Sequence, residues 1–294
     1  MMKAVTSVIR FLVFTNIYIA ICVVCFTSKT ALLLYGNTGN THVNILAFSA
    51  TLFLYSFHRV YRRNRLFEDE HKEERHYWVD KRKTMYYGIV AIAFIVAATQ
   101  MVYMPLRVWE LLIPIGFIAG GYSVPFIKTT KGYIRLRDIS WLKVLWIALA
   151  YAMLATFLPV AYSYSFQALL QPGVQFIFAE NFLFIFVLAI PFDIRDINYD
   201  KRNGVNTIPV LLGVKGAITV CFNVLLIFIT VAWFHNVLAG LKVSYALALS
   251  ISAIEVACFT WFSKPERPNL FFPLAIESSM ILQWLLIFCM AYFV

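Results

Sequence analysis

The sequence predicts an all-α integral membrane protein that crosses the bilayer nine times. Of its 294 residues, 61% are apolar and only 14% are charged, whereas about 25% of the residues in a typical soluble domain are charged. A mean hydropathy of +0.75 and the presence of 27 Phe and 16 Tyr residues also exclude a disordered chain, which is poor in apolar and aromatic residues. Composition therefore favours a polytopic membrane protein.

Nine stretches are long and apolar enough to be transmembrane helices, because one crossing needs about 20 mainly apolar residues. The first resembles a signal peptide, but no small-residue cleavage site follows it, so we interpret it as a span. The uncharged run 144–179 is too long for one crossing and is divided in two by Pro159 and by Gln171-Pro172-Gly173. The predicted spans are 8–28, 44–61, 84–104, 109–127, 139–160, 174–192, 216–234, 243–262 and 271–293.

The distribution of Lys and Arg predicts which ends of these spans are cytoplasmic. With the N-terminus inside, 22 of the 25 Lys and Arg residues fall on one side, and only Lys29, Arg107 and Lys242 fall on the other. The positive-inside rule produces such an asymmetry, so the formal charge of +10 reflects topology and does not indicate nucleic acid as a partner. We expect a single transmembrane domain, 1–294, in a bacterial inner membrane, with cytoplasmic loops at about 62–83, 128–138 and 193–215.

Three aspartates mark the cytoplasmic end of the sixth span. Asp193, Asp196 and Asp200 are spaced i, i+3 and i+7, which places them on one face of a helix. The C-terminal end of a helix disfavours negative charge, so such a cluster requires a cation. Mg²⁺ suits it, because this ion binds one or two carboxylates and completes its shell with waters and substrate phosphates. The aspartates therefore predict a magnesium and phosphate site.

The same segment carries basic residues and turn signals. Arg195, Lys201 and Arg202 can pair with phosphate oxygens. Asn203-Gly204 predicts a turn, and Pro209 predicts the start of the next span. The alternative is an ordinary solvated loop at a helix end, which this combination of spacing and turn residues does not favour.

The segment 193–213 resembles the second aspartate-rich motif of the UbiA superfamily of intramembrane prenyltransferases. It reads Asp-Ile-Arg-Asp, then Asp200 with two basic residues, then a Gly, a Thr and Pro-Val-Leu-Leu-Gly. The resemblance implies a nine-helix bundle that binds a polyisoprenyl diphosphate through Mg²⁺, between acidic motifs at the cytoplasmic ends of the second and sixth helices. It assigns Asp193, Asp196 and Asp200 as the ligands from the second motif.

The end of the second span departs from the family pattern. Family members carry an Asn-Asp-x-x-Asp type motif there, whereas this chain reads Leu54-Tyr-Ser-Phe-His-Arg-Val-Tyr-Arg-Arg-Asn64 and has no acid before Glu68. One interpretation is that Arg59, with His58, neutralises diphosphate where a second Mg²⁺ would sit. The other is that these residues only anchor the span and that prenyl transfer is lost or altered.

Together these residues predict an enzyme that transfers a prenyl group from a polyprenyl diphosphate to a lipid or aromatic acceptor. Tyr122 and Lys128 lie in a segment similar to one that contacts diphosphate in the family, and Glu277 of the ninth span is expected to line the cavity. The alternatives are a cyclase or hydrolase, and a non-catalytic homologue that binds an isoprenoid lipid. The predicted substrate-binding residues are His58, Arg59, Tyr122, Lys128, Lys131, Arg195, Lys201 and Arg202.

The predicted topology places the loops 62–83 and 193–215 on the same side of the membrane, because both follow even-numbered spans and both are basic. Single cysteines introduced near residues 72 and 204 are therefore expected to react with an impermeant thiol reagent from the cytoplasmic side. Labelling of the two positions from opposite sides would contradict the nine-span topology.

Overall fold

The computed structural model describes residues 2–63, 74–125, 127–129, 132–136, 139 and 142–293. In these ranges the chain forms twelve α-helices, a short antiparallel hairpin of two strands, a 3₁₀ helix and a π-helix. The α-helices are α1 (Met2–Phe14), α2 (Ile17–Tyr35), α3 (Thr41–Arg63), α4 (Glu74–Asp80), α5 (Lys83–Val102), α6 (Leu106–Ser123), α7 (Leu142–Ser163), α8 (Pro172–Arg195), α9 (Ile197–Arg202), α10 (Ile208–Ala239), α11 (Val243–Trp261) and α12 (Ser278–Phe293). The remaining elements are β1 (Ile127–Thr129), β2 (Gly132–Ile134), the 3₁₀ helix Phe166–Leu170 and the π-helix Phe272–Glu277.

The predicted spans correspond to helices of the structure, but their limits differ. Each of the nine predicted segments is largely helical in the described residues. In the part of the chain that the structure describes, seven helices are long and apolar enough to cross a membrane: α2, α5, α7, α8, α10, α11 and the run Phe272–Tyr292. The other two predicted spans correspond to α3 and α6, which carry His58 and Arg59, and Arg107 and Glu110, among their apolar residues. The count of nine crossings and a cytoplasmic N-terminus therefore stay predictions.

The predicted first span, 8–28, is wrong in its limits, because the helix breaks between Phe14 and Ile17. Asn16 adopts a left-handed conformation with φ of 65°. Its side-chain Nδ2 donates hydrogen bonds to Ser56 Oγ at 3.1 Å and to Tyr86 OH at 2.6 Å. These bonds stabilise a backbone conformation that is costly for a residue with a Cβ atom. The chain therefore forms a separate helix, α1, before it enters the bundle as α2.

This shift moves Lys29 from the predicted external loop into the interior of α2. The side chain is fully buried, and its Nζ donates to Asn181 Oδ1 at 2.5 Å and to Gln283 Oε1 at 2.6 Å. Asn181 also donates to Thr156 Oγ1 at 2.9 Å. A buried ammonium is tolerated only where oxygen acceptors replace water, so this polar cluster joins α2, α7, α8 and α12.

The expected cytoplasmic loop 193–215 is mostly helical. The sixth span continues through Asp193 to Arg195, α9 follows, and α10 begins at Ile208 with Pro209 in its first turn, as the sequence predicted. Gly204, with φ of 67°, forms the turn expected from Asn203-Gly204. These elements pack together so that little of the segment is free loop.

The interior of the bundle is centred on α8, which packs mainly against α7 and α10. Phe184 of α8 stacks on Phe26 of α2 at 5.9 Å between ring centroids and lies 5.6 Å from Phe228 of α10. By contrast, the described residues of α5 include only two buried side chains, Tyr86 and Ala93, as expected for a helix that faces lipid. The middle of α8 is therefore packed against helices on more than one side.

Candidate functional site

A cavity of about 640 Å³ opens at the end of the bundle where α8 terminates. Its walls come from α2, α3, α6, α7, α8, α9, α12 and the π-helix, together with the junction between α1 and α2. On α7 the lining positions follow i, i+3, i+4, i+7 and i+8, which is one continuous helix face. These are Lys143, Trp146, Ile147, Ala150 and Tyr151. Lys143 is the charged residue at one end of this α7 face, and the other four side chains are largely apolar.

The three predicted aspartates all line this cavity, but they do not lie on one continuous helix face. The backbone leaves the α-helical conformation at Asp196, with φ of −91° and ψ of 8°, which separates α8 from α9. Asp193 and Asp200 are buried. Asp196 is more exposed and accepts two hydrogen bonds from Arg195, from Nε at 2.7 Å and from Nη2 at 3.0 Å. The expectation of a single i, i+3, i+7 face is therefore wrong.

The cation that the acidic cluster requires is supplied in part by Lys143. Its Nζ lies 2.6 Å from Asp193 Oδ1 and 3.5 Å from Asp200 Oδ2. Sequence analysis counted Lys143 only as a basic residue at the cytoplasmic face. The signal that could have identified it is its position in the first turn of an apolar helix that otherwise carries no charge through Ser163. A lone charge at such a position requires a partner in the bundle.

Most of the predicted substrate-binding residues lie at the charged end of the cavity. The side chains that line it are His58, Arg59, Tyr122, Arg195 and Arg202. Lys201 of α9 is exposed, and neither it nor Lys128 on β1 is among the lining residues. Lys131 lies outside the described residues. The structure therefore brings together five of the eight predicted residues.

Arg195 is positioned by aromatic rings as well as by Asp196. Its guanidinium carbon lies 5.3 Å from the centroid of Phe192 and 5.5 Å from that of Phe272. Such cation–π contacts hold a guanidinium in a fixed orientation without neutralising it. The side chain is thus held in one orientation at the cavity.

The acidic residues fit a divalent cation, although they are not preassembled as a complete ligand set. Among the described residues, no group of three His, Cys, Asp or Glu side chains converges closely enough to hold a metal ion alone. Asp193 Oδ2 is buried and has no hydrogen-bond partner in the described part of the chain. A buried carboxylate oxygen without a partner is costly, and Mg²⁺ bound with phosphate oxygens would satisfy it.

Comparison with known proteins identifies the family. Residues 78–287 match the family model described as the UbiA prenyltransferase family. The chain belongs to this family. It is accordingly an integral, multi-pass membrane protein with the UbiA fold. No sequence among the curated proteins matches the chain significantly.

Solved structures of UbiA proteins share the fold over nearly the whole chain. A UbiA homolog from Archaeoglobus fulgidus bound to GPP and Mg²⁺ is 12% identical with a TM-score of 0.63, and the match covers 95% of this chain and 98% of that one. The apo UbiA homolog from Aeropyrum pernix K1 is 18% identical with a TM-score of 0.64, covering 89% and 96%. Digeranylgeranylglyceryl phosphate synthase is 13% identical with a TM-score of 0.60, covering 96% and 97%.

Replacement of Lys143 by Met is expected to make the stability of the UbiA bundle depend on Mg²⁺. Without the ammonium, Asp193 and Asp200 face each other without compensation, which we expect to lower the free energy of unfolding by about 3 kcal/mol in metal-free buffer. A divalent cation should then bind the freed carboxylates and restore much of this loss. Thermal unfolding of the purified protein with EDTA or with Mg²⁺ measures the effect.

The matched control is Lys215→Met, which removes the positive charge of an exposed lysine. This control should show the same dependence on Mg²⁺ as the unmodified protein. The role assigned to Lys143 would be contradicted by a Lys143→Met variant whose unfolding temperature responds to Mg²⁺ no more than that of the control.

Proposed function

We propose that this UbiA protein transfers a prenyl group from a polyprenyl diphosphate to a lipid or aromatic acceptor in a bacterial inner membrane. The observation that carries the proposal is the asymmetry of the cavity. Its polar end joins two buried aspartates to basic residues, and its inner walls are mainly apolar. A diphosphate with an isoprenoid tail is the ligand class that combines these two requirements.

The basic residues at the polar end are suited to hold the diphosphate as its negative charge increases. Arg59, Arg195 and Arg202 line the cavity, and guanidinium groups form paired, charge-assisted hydrogen bonds with phosphate oxygens. Asp193, Asp196 and Asp200 would hold Mg²⁺, which when bound neutralises part of the charge on the leaving group. Homologues solved with GPP and Mg²⁺ and with DMAPP and Mg²⁺ support this ligand class.

The inner walls are suited to the prenyl chain and exclude water from the reacting carbon. The lining includes Ile147 and Ala150 of α7 and Ile185, Leu188 and Ala189 of α8. Burial of apolar surface favours binding of an isoprenoid by about 25 cal/mol per Å² removed from water. Exclusion of water protects an allylic cation from hydrolysis.

A second candidate function is binding of an isoprenoid diphosphate without transfer. It is favoured by the departure at α3, which presents His58 and Arg59 to the cavity in place of the acidic motif of the family. Cyclisation or hydrolysis of the same substrate is a third outcome. Incubation of the purified protein with radiolabelled geranyl diphosphate distinguishes these three functions. A protein that only binds the substrate releases no diphosphate. A cyclase or hydrolase releases diphosphate without an acceptor.

Binding of a prenyl diphosphate is expected to require Mg²⁺ and both buried aspartates. Asp193→Asn and Asp200→Asn keep the side-chain size but remove a metal-binding charge, so each should weaken Mg²⁺-dependent binding of geranyl S-thiolodiphosphate at least tenfold. Titration calorimetry with Mg²⁺ and with EDTA measures this. Glu266→Gln, at an exposed loop position, is the control, and equal Mg²⁺-dependent affinity in all four proteins would refute metal binding by the aspartates.

Arg59 is expected to provide part of the charge compensation that a second metal would otherwise supply. We therefore expect one Mg²⁺ per bound diphosphate, and an Arg59→Gln variant should bind geranyl S-thiolodiphosphate about tenfold more weakly because a charge-assisted hydrogen bond is lost. Calorimetric titration of Mg²⁺ into the saturated complex gives the stoichiometry. Lys81→Gln, at an exposed position outside the cavity, should bind normally. Two bound metals, or full affinity in Arg59→Gln, would leave Arg59 as a membrane anchor.

A further inference from the structure

The inner part of the cavity contains a second polar cluster, formed by Tyr55, Tyr151 and Glu277. The hydroxyl groups of Tyr55 on α3 and Tyr151 on α7 are hydrogen-bonded to each other. Glu277, at the end of the π-helix, lines the same cavity as Tyr55 and Tyr151. Three side chains from separate elements therefore bring oxygen-bearing groups to this cavity.

This cluster is separated from the charged end of the cavity. Tyr151 follows Lys143 by eight residues on α7, which corresponds to about 12 Å along the helix axis. Tyr55 precedes Arg59 by four residues on α3, or about 6 Å. The cluster thus lies one to two helical turns further into the bundle than the residues assigned to the diphosphate.

The sign of its charge also separates this cluster from the diphosphate site. A carboxylate that is not bridged by Mg²⁺ repels diphosphate. Because the metal is assigned to Asp193, Asp196 and Asp200, we do not assign Glu277 to the anion. Ionisable side chains inside a membrane bundle are costly and are retained where they act on a substrate or ion. The other three acids within the predicted spans, Glu110, Glu180 and Glu255, do not line this cavity in the described structure.

The backbone that leads to Glu277 is π-helical, and this π-helix forms part of the cavity wall. The segment Phe272–Glu277 is a π-helix with Pro273 in its first turn, and both Pro273 and Glu277 line the cavity. A π-helical turn inserts an extra residue into an α-helix and changes the direction in which the following side chains point. Such turns occur frequently at functional sites, and this one ends at the carboxylate in question.

We propose that Glu277, with the Tyr55 and Tyr151 hydroxyl pair, forms the acceptor subsite and that it takes an acceptor with an alcohol group on an apolar body. This inference rests on the proposed prenyl transfer. The carbon–oxygen bond between the allylic carbon and diphosphate breaks, and the electron pair leaves with diphosphate. The acceptor oxygen forms the new bond to that carbon, giving an ether, and its proton passes to the Glu277 carboxylate. The tyrosine hydroxyls hydrogen-bond the acceptor oxygen and orient it.

The experiment uses the purified full chain with radiolabelled geranyl diphosphate and Mg²⁺, with benzyl alcohol and 1-decanol as acceptor probes. It compares the unmodified protein with Glu277→Gln, Glu277→Asp and Glu255→Gln. Three quantities are measured: affinity for geranyl S-thiolodiphosphate, release of diphosphate, and formation of geranyl ether. Glu255 is the matched control, since it is also an acid on a membrane-spanning helix and lies outside the lining of the cavity.

We expect the unmodified protein and Glu255→Gln to form geranyl ether. Glu277→Gln should bind the thiolodiphosphate within twofold of the unmodified protein and still release diphosphate to water, but it should form ether at least tenfold more slowly. Glu277→Asp should recover part of the rate, because it restores a carboxylate. This combination separates proton acceptance from a role in folding or in diphosphate binding.

The experiment gives different results if the proposed prenyl transfer is wrong and if only the acceptor subsite is wrong. If the unmodified protein does not bind the thiolodiphosphate, the proposed function is wrong, and the acceptor subsite falls with it. If it binds but forms no ether with either alcohol, or if Glu277→Gln forms ether at the normal rate, only the acceptor subsite is refuted. Loss of thiolodiphosphate binding or of diphosphate release in Glu277→Gln also refutes it, because Glu277 would then act on the diphosphate or on the cation.

Discussion

The site depends on the compensation of two buried carboxylates at the end of α8. Asp193 and Asp200 are removed from water in a region of low dielectric, where an uncompensated charge is far more costly than at a surface. Lys143 meets this requirement by placing one ammonium against both of them. The position of the pair in turn requires that α7 pack against α8 and that α9 follow α8 directly after the joint at Asp196. The polar end of the cavity is thus a consequence of one electrostatic constraint.

The same cavity explains where the helices are irregular. In a bilayer, backbone groups outside regular helices are tolerated only where protein or a water-accessible cavity satisfies them. The left-handed Asn16, the joint at Asp196 and the π-helical turn that ends at Glu277 all adjoin this cavity. Each of these three breaks changes the direction of a polar side chain, whereas the kink at Gly213 within α10 lies outside the lining of the cavity.

The polar end of the cavity carries fixed positive charge from α3 and α7. The end of α3 presents His58 and Arg59 instead of carboxylates, and Lys143 lies between the two buried aspartates of the second motif. Fixed cations need no metal to neutralise an anion, but they cannot adjust their number or position as a bound metal can. The negative charge at this site is therefore compensated partly by basic side chains such as Arg59 and Lys143. The carboxylates can still bind a divalent cation that compensates the rest.

The sequence alone determined the membrane class, the helical segments and the acidic motif, because hydropathy, charge and local spacing are properties of neighbouring residues. It also placed Glu277 at the cavity correctly. Only the tertiary structure decided the partners of these residues. Lys143 precedes Asp193 by 50 positions, and Lys29 precedes Asn181 and Gln283 by more than 150. The break at Asn16 likewise depends on Ser56 and Tyr86 from other helices. Local sequence patterns indicate which surface of a helix is buried. The pairing of buried polar groups depends on which helices are neighbours, and the packing of the whole bundle decides which helices are neighbours.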